Sequence, residues 1–361
     1  MSGRFGIVGG AAVPHAPQFF TLPPTEDPDQ VARCRELMGR IGDGLRALEP
    51  DVVIIVANDH LENFMLHAVP PFTLHCGAEA RGAFAGREFA WPIPSAAAAD
   101  VLRRMQDTGF DPAFTMNATI GYEFGIPLTF LGFGPDTPVL PVYVNSYVPP
   151  QPRADRCYAF GEALARAVEA AGIRAVIVAS GGLSHYPGTD LYAHPDVDHD
   201  ALLMERIERG NLRALLVHDD AGLDRTGNVE ARSWLILAGA LGERVPDLTG
   251  VEPSWHHVYA MAGWTSGEAP PPGELHYPMT KAELLPLYEA LYALRTEVEA
   301  KEAWLADAEA FASRWDLTPE QRGALVALDE ERIRGLGVHP LLGFLARLEV
   351  DLLKRQRAGA G

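Results

Sequence analysis

Apolar residues fall along this chain in two alternating rhythms. Phe5 to Val13 is an apolar, β-branched run, and Asp51 to Ala57 reads DVVIIVA with no polar face. Such uninterrupted runs suit strands buried on both sides of a sheet. Between them Leu37, Met38, Ile41, Leu45 and Leu48 recur at helical spacing and predict one buried helix face. The alternation returns with a helix over 156–170, a buried strand at Ala175 to Ala179, and an apolar segment ending at Leu241 that reads as another helix. This order predicts an α/β fold with a central, largely buried sheet flanked by helices.

The rhythm changes after Ala269-Pro270-Pro271-Pro272-Gly273. From there to the end the pattern is helical, with residues 280 to 355 forming a separate unit. Thr280-Lys281-Ala282-Glu283 and Thr318-Pro319-Glu320-Gln321 both have the spacing of capping boxes. We therefore expect two domains, 1–272 and a C-terminal all-helical domain over 273–361.

Composition narrows the partners. Among 361 residues, 30 Lys and Arg face 48 Asp and Glu, a net charge of −18 that repels phosphate backbones and anionic membrane surfaces alike. Neither nucleic acid nor membrane is expected. No apolar run approaches the roughly 20 residues of a membrane span, and Met1 to Gly10 lacks a basic segment followed by an apolar one, so a cytoplasmic location is expected. Cys34, Cys76 and Cys157 show no Cys-x-x-Cys spacing and are read as buried small hydrophobes.

The chemistry sits at the strand ends. Pro14-His15-Ala16-Pro17 follows the first strand, Asn58-Asp59-His60 the second, and Ser180-Gly181-Gly182-Leu183-Ser184-His185 the third. In open α/β sheets the carboxyl ends of strands line the ligand crevice, so these histidines are expected to converge. Glu230, in Asn228-Val229-Glu230-Ala231-Arg232, is expected in the first turn of its helix. His15, His60 and Glu230 together make a two-histidine, one-carboxylate set suited to non-haem Fe(II) with open positions. The same three side chains also describe a zinc hydrolase site that activates water. Taken singly, a strand-end histidine can be structural, and a glutamate near a helix start can answer the macrodipole.

Other clusters carry less. His194, Asp196, Asp198, His199 and Asp200 are read as a solvated, acidic helix start. His67, His75, His218, His276 and His339 fit no ligand spacing, and the glycines do not form a phosphate-binding loop.

In order and spacing, PHAP, ANDH, SGGLSH and GNVEARSW resemble the class III extradiol ring-cleavage dioxygenases of the protocatechuate 4,5-dioxygenase type, over about residues 5–265. Residues 306–345 are similar to the small helical subunit of that type, fused here as in gallate dioxygenase. The resemblance implies Fe(II) at His15, His60 and Glu230, His185 as acid–base catalyst, and a small aromatic substrate opened by O2. Where relatives carry Asp-His-Gly, this chain has Gly121-Tyr122-Glu123, which puts Tyr122 in the place of a catalytic histidine. A phenol donates a hydrogen bond but, with an unperturbed pKa of about 10, shuttles protons poorly at neutral pH. The substrate is thus expected to be a catechol-type or gallate-like ring, with a 2-aminophenol as the alternative. His256 and His257, in Trp-His-His-Val-Tyr, are placed to line the pocket, and His257 is the candidate substrate-binding residue. The helical domain is implied to cap the site, although its apolar faces equally suit the interface of a homodimer or higher homo-oligomer.

Overall fold

The computed structural model describes residues 5–266, 277 and 280–359. Contacts divide the chain into two compact units, Met1–Pro270 and Pro271–Gly361. The proline-rich stretch at 269–273, and the 272/273 boundary drawn there, lie outside the described residues.

Among the described residues ten strands order the first unit: β1 (Gly6–Val13), β2 (Val52–Asn58), β3 (Phe72–His75), β4 (Glu79–Phe84), β5 (Arg87–Pro92), β6 (Ala113–Thr115), β7 (Val139–Val144), β8 (Arg174–Ser180), β9 (Leu248–Pro253) and β10 (Val258–Trp264). Eight of them form one sheet in the order β6-β3-β7-β2-β8-β1-β10-β9, and β4 pairs with β5 in a separate hairpin. The central strands β7, β2, β8 and β1 are parallel. Strands β3 and β10 run antiparallel to their inner neighbours, which makes the sheet mixed. Register aligns Val13 with Ser180 and Asn58 with Val144, so the carboxyl ends of the four parallel strands share one edge.

Helices cover both faces. Cβ atoms alternate across a strand, and one placed on Gly9 would meet Leu45 and Leu48, whereas one on Gly10 would meet Leu241. The helix Pro28–Ala47 therefore packs on one face and Ala231–Leu241 on the other. The first starts earlier than the apolar spacing suggested, because Asp27 caps the Asp29 amide and Pro28 occupies the first helical position. The helices Ala154–Ala170 and Ala231–Leu241 cross at two glycines. A Cβ on Gly161 would lie 1.9 Å from the Ile236 carbonyl oxygen, and one on Gly239 would lie 2.0 Å from that of Tyr158. Backbone touches backbone at this crossing, which seats the helix that begins just after Glu230.

The second unit is helical, as expected, with its own core of Leu287, Leu291, Leu294, Phe311, Leu325 and Ile333. The box at Thr318 forms in both directions, the hydroxyl accepting from the Gln321 amide and the Gln321 side chain accepting from the Thr318 amide. The box expected at Thr280 does not form. A short 3₁₀ turn, Ala282–Leu284, starts at Lys281 without a side-chain cap, and the α-helix begins only at Leu285. Pro286 explains the shift: it lacks an N–H and is tolerated in a helix only in the first turn. Among the described residues no helix is long and apolar enough to cross a membrane. Cys34, Cys76 and Cys157 are buried and free, in line with their reading as small hydrophobes.

Candidate active site

Each parallel strand of the centre delivers one polar side chain to the shared edge. His15 follows β1, His60 follows β2, Tyr147 follows β7 and His185 follows β8. The Gly-Gly pair makes the last possible. A Cβ on Gly181, whose φ is +152°, would lie 3.0 Å from the Glu230 Cβ, and one on Gly182 would lie 1.7 Å from His257 Nε2. The turn thus passes between Glu230 and His257 because neither position carries a side chain.

Glu230 sits one residue before the predicted helical turn, at the N-cap of Ala231–Leu241, and its side chain makes no capping bond. Its carboxylate instead enters the crevice. Oε1 lies 3.3 Å from His15 Nε2, 3.5 Å from His60 Nε2 and 3.6 Å from His185 Nε2, and it accepts a 2.9 Å hydrogen bond from the Tyr147 hydroxyl. Oε2 accepts from the Gly182 amide at 3.3 Å. The buried carboxylate is thus ringed by three imidazoles and a phenol. All the predicted site residues meet here: His15, His60, Tyr122, His185, Glu230 and His257 line one cavity of about 290 Å³.

The donor set suits a divalent metal. His15, His60 and Glu230 each offer a ligand atom, all within 4.8 Å of one another. The tautomer of His15 follows from its neighbours. Ser180 donates its hydroxyl proton to the Glu123 carbonyl, so its oxygen accepts from His15 Nδ1–H at 2.9 Å. The lone pair of His15 is left on Nε2, on the side of Glu230, as ligation requires. Among the described residues His60 Nδ1 and Glu123 Oε2, 3.6 Å apart, are buried without hydrogen-bond partners, and Asn58 Nδ2 lies 3.0 Å from His60 Nε2.

Electrostatics match this layout. Burial opposes charge on His60, but Glu123 and Glu230 outweigh it and raise its pKa to about 9. Burial likewise opposes charge on His185, but Glu230 outweighs it and raises its pKa. Burial alone would raise Glu230, yet His15 and His185 hold it well below the usual carboxylate range. His257 is driven the other way, by burial and then by the charge of His185, and stays neutral. Its ring stacks on His185 at 4.2 Å and 5°. Burial and the nearby carboxylates push the Tyr122 and Tyr147 phenols up, so both remain protonated donors at neutral pH. Tyr122 opens the helix Tyr122–Phe130 and stacks on His60 at 4.7 Å.

Sequence reasoning overlooked four contributors. Tyr147 obeys the same strand-end rule as the histidines, but Pro141 inside β7 obscured the strand. Glu123 and Ser180 are neighbours of motif residues whose burial no spacing announces. Asp200 corrects an expectation: Asp196 does cap its helix, but Asp200 is fully buried and faces the site's backbone, not solvent. His75 is a satisfied core residue, bonded to Ala118 O and the Gly77 amide, and His199 pairs with His218 at 2.9 Å. His276 lies outside the described residues.

Comparison with known proteins places this arrangement. Residues 9–265 match the family described as the catalytic LigB subunit of aromatic ring-opening dioxygenase. A 2,3-dihydroxyphenylpropionate/2,3-dihydroxicinnamic acid 1,2-dioxygenase from Klebsiella pneumoniae is 37% identical over 174 residues, 47% of this chain and 55% of that protein. A similarly named enzyme from Pseudomonas putida is 33% identical over 175 residues, 48% of this chain and 55% of that protein. The chain spans about half the length of the curated relatives it matches. An uncharacterized Escherichia coli K12 protein of known crystal structure aligns with a TM-score of 0.46 at 15% identity, over 71% of this chain and 99% of that one.

Proposed function

The chain belongs to the LigB family of aromatic ring-opening dioxygenases, and from that premise we propose that it is an Fe(II)-dependent extradiol dioxygenase acting on a catechol-type or gallate-like ring. The observation that carries this reading is the convergence of His15, His60, His185 and Tyr147 on one buried oxygen of Glu230. In this reading His15, His60 and Glu230 hold the iron. When bound, iron supplies a place where an adjacent diol and O2 meet and exchange electrons.

The remaining residues move or hold protons. His185 Nδ1 lies 3.0 Å from the Leu183 carbonyl and donates to it, which leaves Nε2 to accept the proton of a substrate hydroxyl. Tyr147 donates its only proton to Glu230, so its oxygen, 3.1 Å from His185 Nε2, accepts the newly placed N–H. The protonated His185 is thereby held until it returns the proton. His257, neutral and parallel to His185, fixes the plane of that ring and borders the substrate. Tyr122 offers a neutral hydrogen-bond donor to the ring or its substituents.

A 2-aminophenol is the alternative substrate, favoured by Tyr122 where the family pattern has a histidine. The helical unit is read as a fused small-subunit-like module, and the protein as a cytoplasmic homo-oligomer. The test is anaerobic loading with Fe(II) or Zn(II), followed by oxygen uptake against catechols, gallates and 2-aminophenols. The dioxygenase reading predicts one O2 consumed per ring lost, with iron only. Hydrolytic turnover with zinc and no oxygen uptake would replace it with the hydrolase reading.

A further inference from the structure

We propose that Asp200 is a positioning residue whose two carboxylate oxygens hold the His185 turn and the Glu230 segment in one frame. The roles of His185 and Glu230 rest on the dioxygenase reading above.

A carboxylate with no exposed surface is costly unless hydrogen bonds replace its water. Asp200 obtains them from the site's two key segments. Its Oδ2 accepts from the Ser184 amide at 2.9 Å and from the Ser184 hydroxyl at 2.5 Å, and Ser184 immediately precedes His185. Its Oδ1 accepts from Asn228 Nδ2 at 3.0 Å, and Asn228 lies two residues before Glu230. The two segments are joined again where the His185 amide donates to the Gly227 carbonyl at 3.1 Å. A helix-start acid that served only the macrodipole would keep its water. This one is turned inward and spends every bond on the frame of the site.

The arrangement has two separable arms. Cutting the Ser184 arm loosens the proton-handling His185, and cutting the Asn228 arm loosens the ligand Glu230. Among the described residues Asn228 Oδ1 has no partner, and Asn228 Nδ2 also donates to the Thr226 carbonyl at 3.1 Å. In Asp200→Asn the amide oxygen still accepts from Ser184, while the new NH2 meets Asn228 Nδ2 donor against donor, and a flip of Asn228 would set its Oδ1 against the Thr226 carbonyl. The variant keeps the Ser184 arm alone.

The experiment measures Co(II) affinity by chelator competition, and kcat and KM of the iron-loaded full chain with catechol. Ser184→Ala is expected to lower kcat about tenfold, with KM and Co(II) affinity within about twofold of the parent, the loss of one bond to a charged acceptor. Asn228→Ala is expected to weaken Co(II) binding by about 10- to 100-fold, a loss of turnover that excess metal restores. Asp200→Leu combines both losses, and Asp200→Asn recovers most of kcat at excess metal but not the Co(II) affinity. The proposal is overturned if the two single-arm variants change the same quantity or neither, or if Asp200→Asn at excess metal has a kcat as low as that of Asp200→Leu. Should Asp200→Leu fail to fold, the single-arm variants still decide. If the parent protein opens no ring, the dioxygenase reading fails, while Co(II) affinity in Asn228→Ala still tests the Glu230 arm.

Discussion

The Ser180 hydroxyl, 2.9 Å from His15 Nδ1, settles which nitrogen of His15 faces Glu230. Because that hydroxyl spends its own proton on the Glu123 carbonyl, it can only accept from the ring. Ser180→Ala removes the acceptor and frees the ring to flip or change tautomer. Metal affinity is expected to fall about 10- to 100-fold, as for other partners of ligating histidines, with little change in melting temperature. Titration of the apo protein with Co(II) measures it, and unchanged affinity would separate Ser180 from the site.

Tyr147 bridges Glu230 and His185 with a single phenol. Tyr147→Phe keeps the ring and loses both contacts. We expect kcat to drop about 10- to 100-fold, the range for one hydrogen bond to a charged partner, with a smaller change in KM. Steady-state kinetics over a pH series tests this, and an unaltered kcat at every pH would exclude Tyr147 from proton handling.

The raised pKa of His60, about 9 without metal, has two consequences of opposite sign. A metal must displace the His60 proton below that pH, so apparent affinity should climb about tenfold per pH unit and level off near pH 9. Stability of the apo protein goes the other way. The folded pKa exceeds the unfolded value of about 6.5, so the contribution of His60 is complete below that value and is lost as pH rises through about 9. Metal titrations and thermal melts between pH 6 and 10 report the two trends. His60→Gln should flatten the stability trend.

The glycine crossing of the helices Ala154–Ala170 and Ala231–Leu241 should resist any enlargement. In Gly239→Ala the added carbon would meet backbone 2.0 Å away, which only movement of a helix can relieve. Overpacking of this kind costs about 1–3 kcal/mol or more. A lower melting temperature with weaker Co(II) binding is expected, since Glu230 is the N-cap joined directly to the start of the moved helix. A melting temperature within one degree of the parent would contradict the close crossing.

These outcomes show where local pattern carries information and where it does not. β2 and β8 were legible because strands buried on both faces leave uninterrupted apolar runs, and the histidines beyond them inherit a position from topology alone. Glu230 was legible as a helix-start acid, but its place one residue outside the helix, with the carboxylate turned into the crevice to accept from Tyr147 and Gly182, was not. Asp200 was not legible. Its partners lie 16 and 28 residues away, and an acid that faces two folded segments reads in sequence like any acid at a helix start. Tyr147 was hidden by Pro141, which argues against a central strand but sits inside β7. The box at Thr280 had the correct spacing, yet Pro286 moved the helix start beyond its reach.

The division of labour among the four converging residues is tested most directly by metal content and turnover in His15→Ala, His60→Ala, Glu230→Ala and His185→Ala, each loaded anaerobically with Fe(II). The account predicts that the first three lose iron and with it all ring opening. His185→Ala should keep iron at near parent stoichiometry and lose turnover by about 100-fold or more, the scale of general acid–base catalysis. Iron retained in all four variants, or lost from His185→Ala as readily as from the others, would contradict the assignment of His15, His60 and Glu230 as the metal's ligands and His185 as the proton carrier.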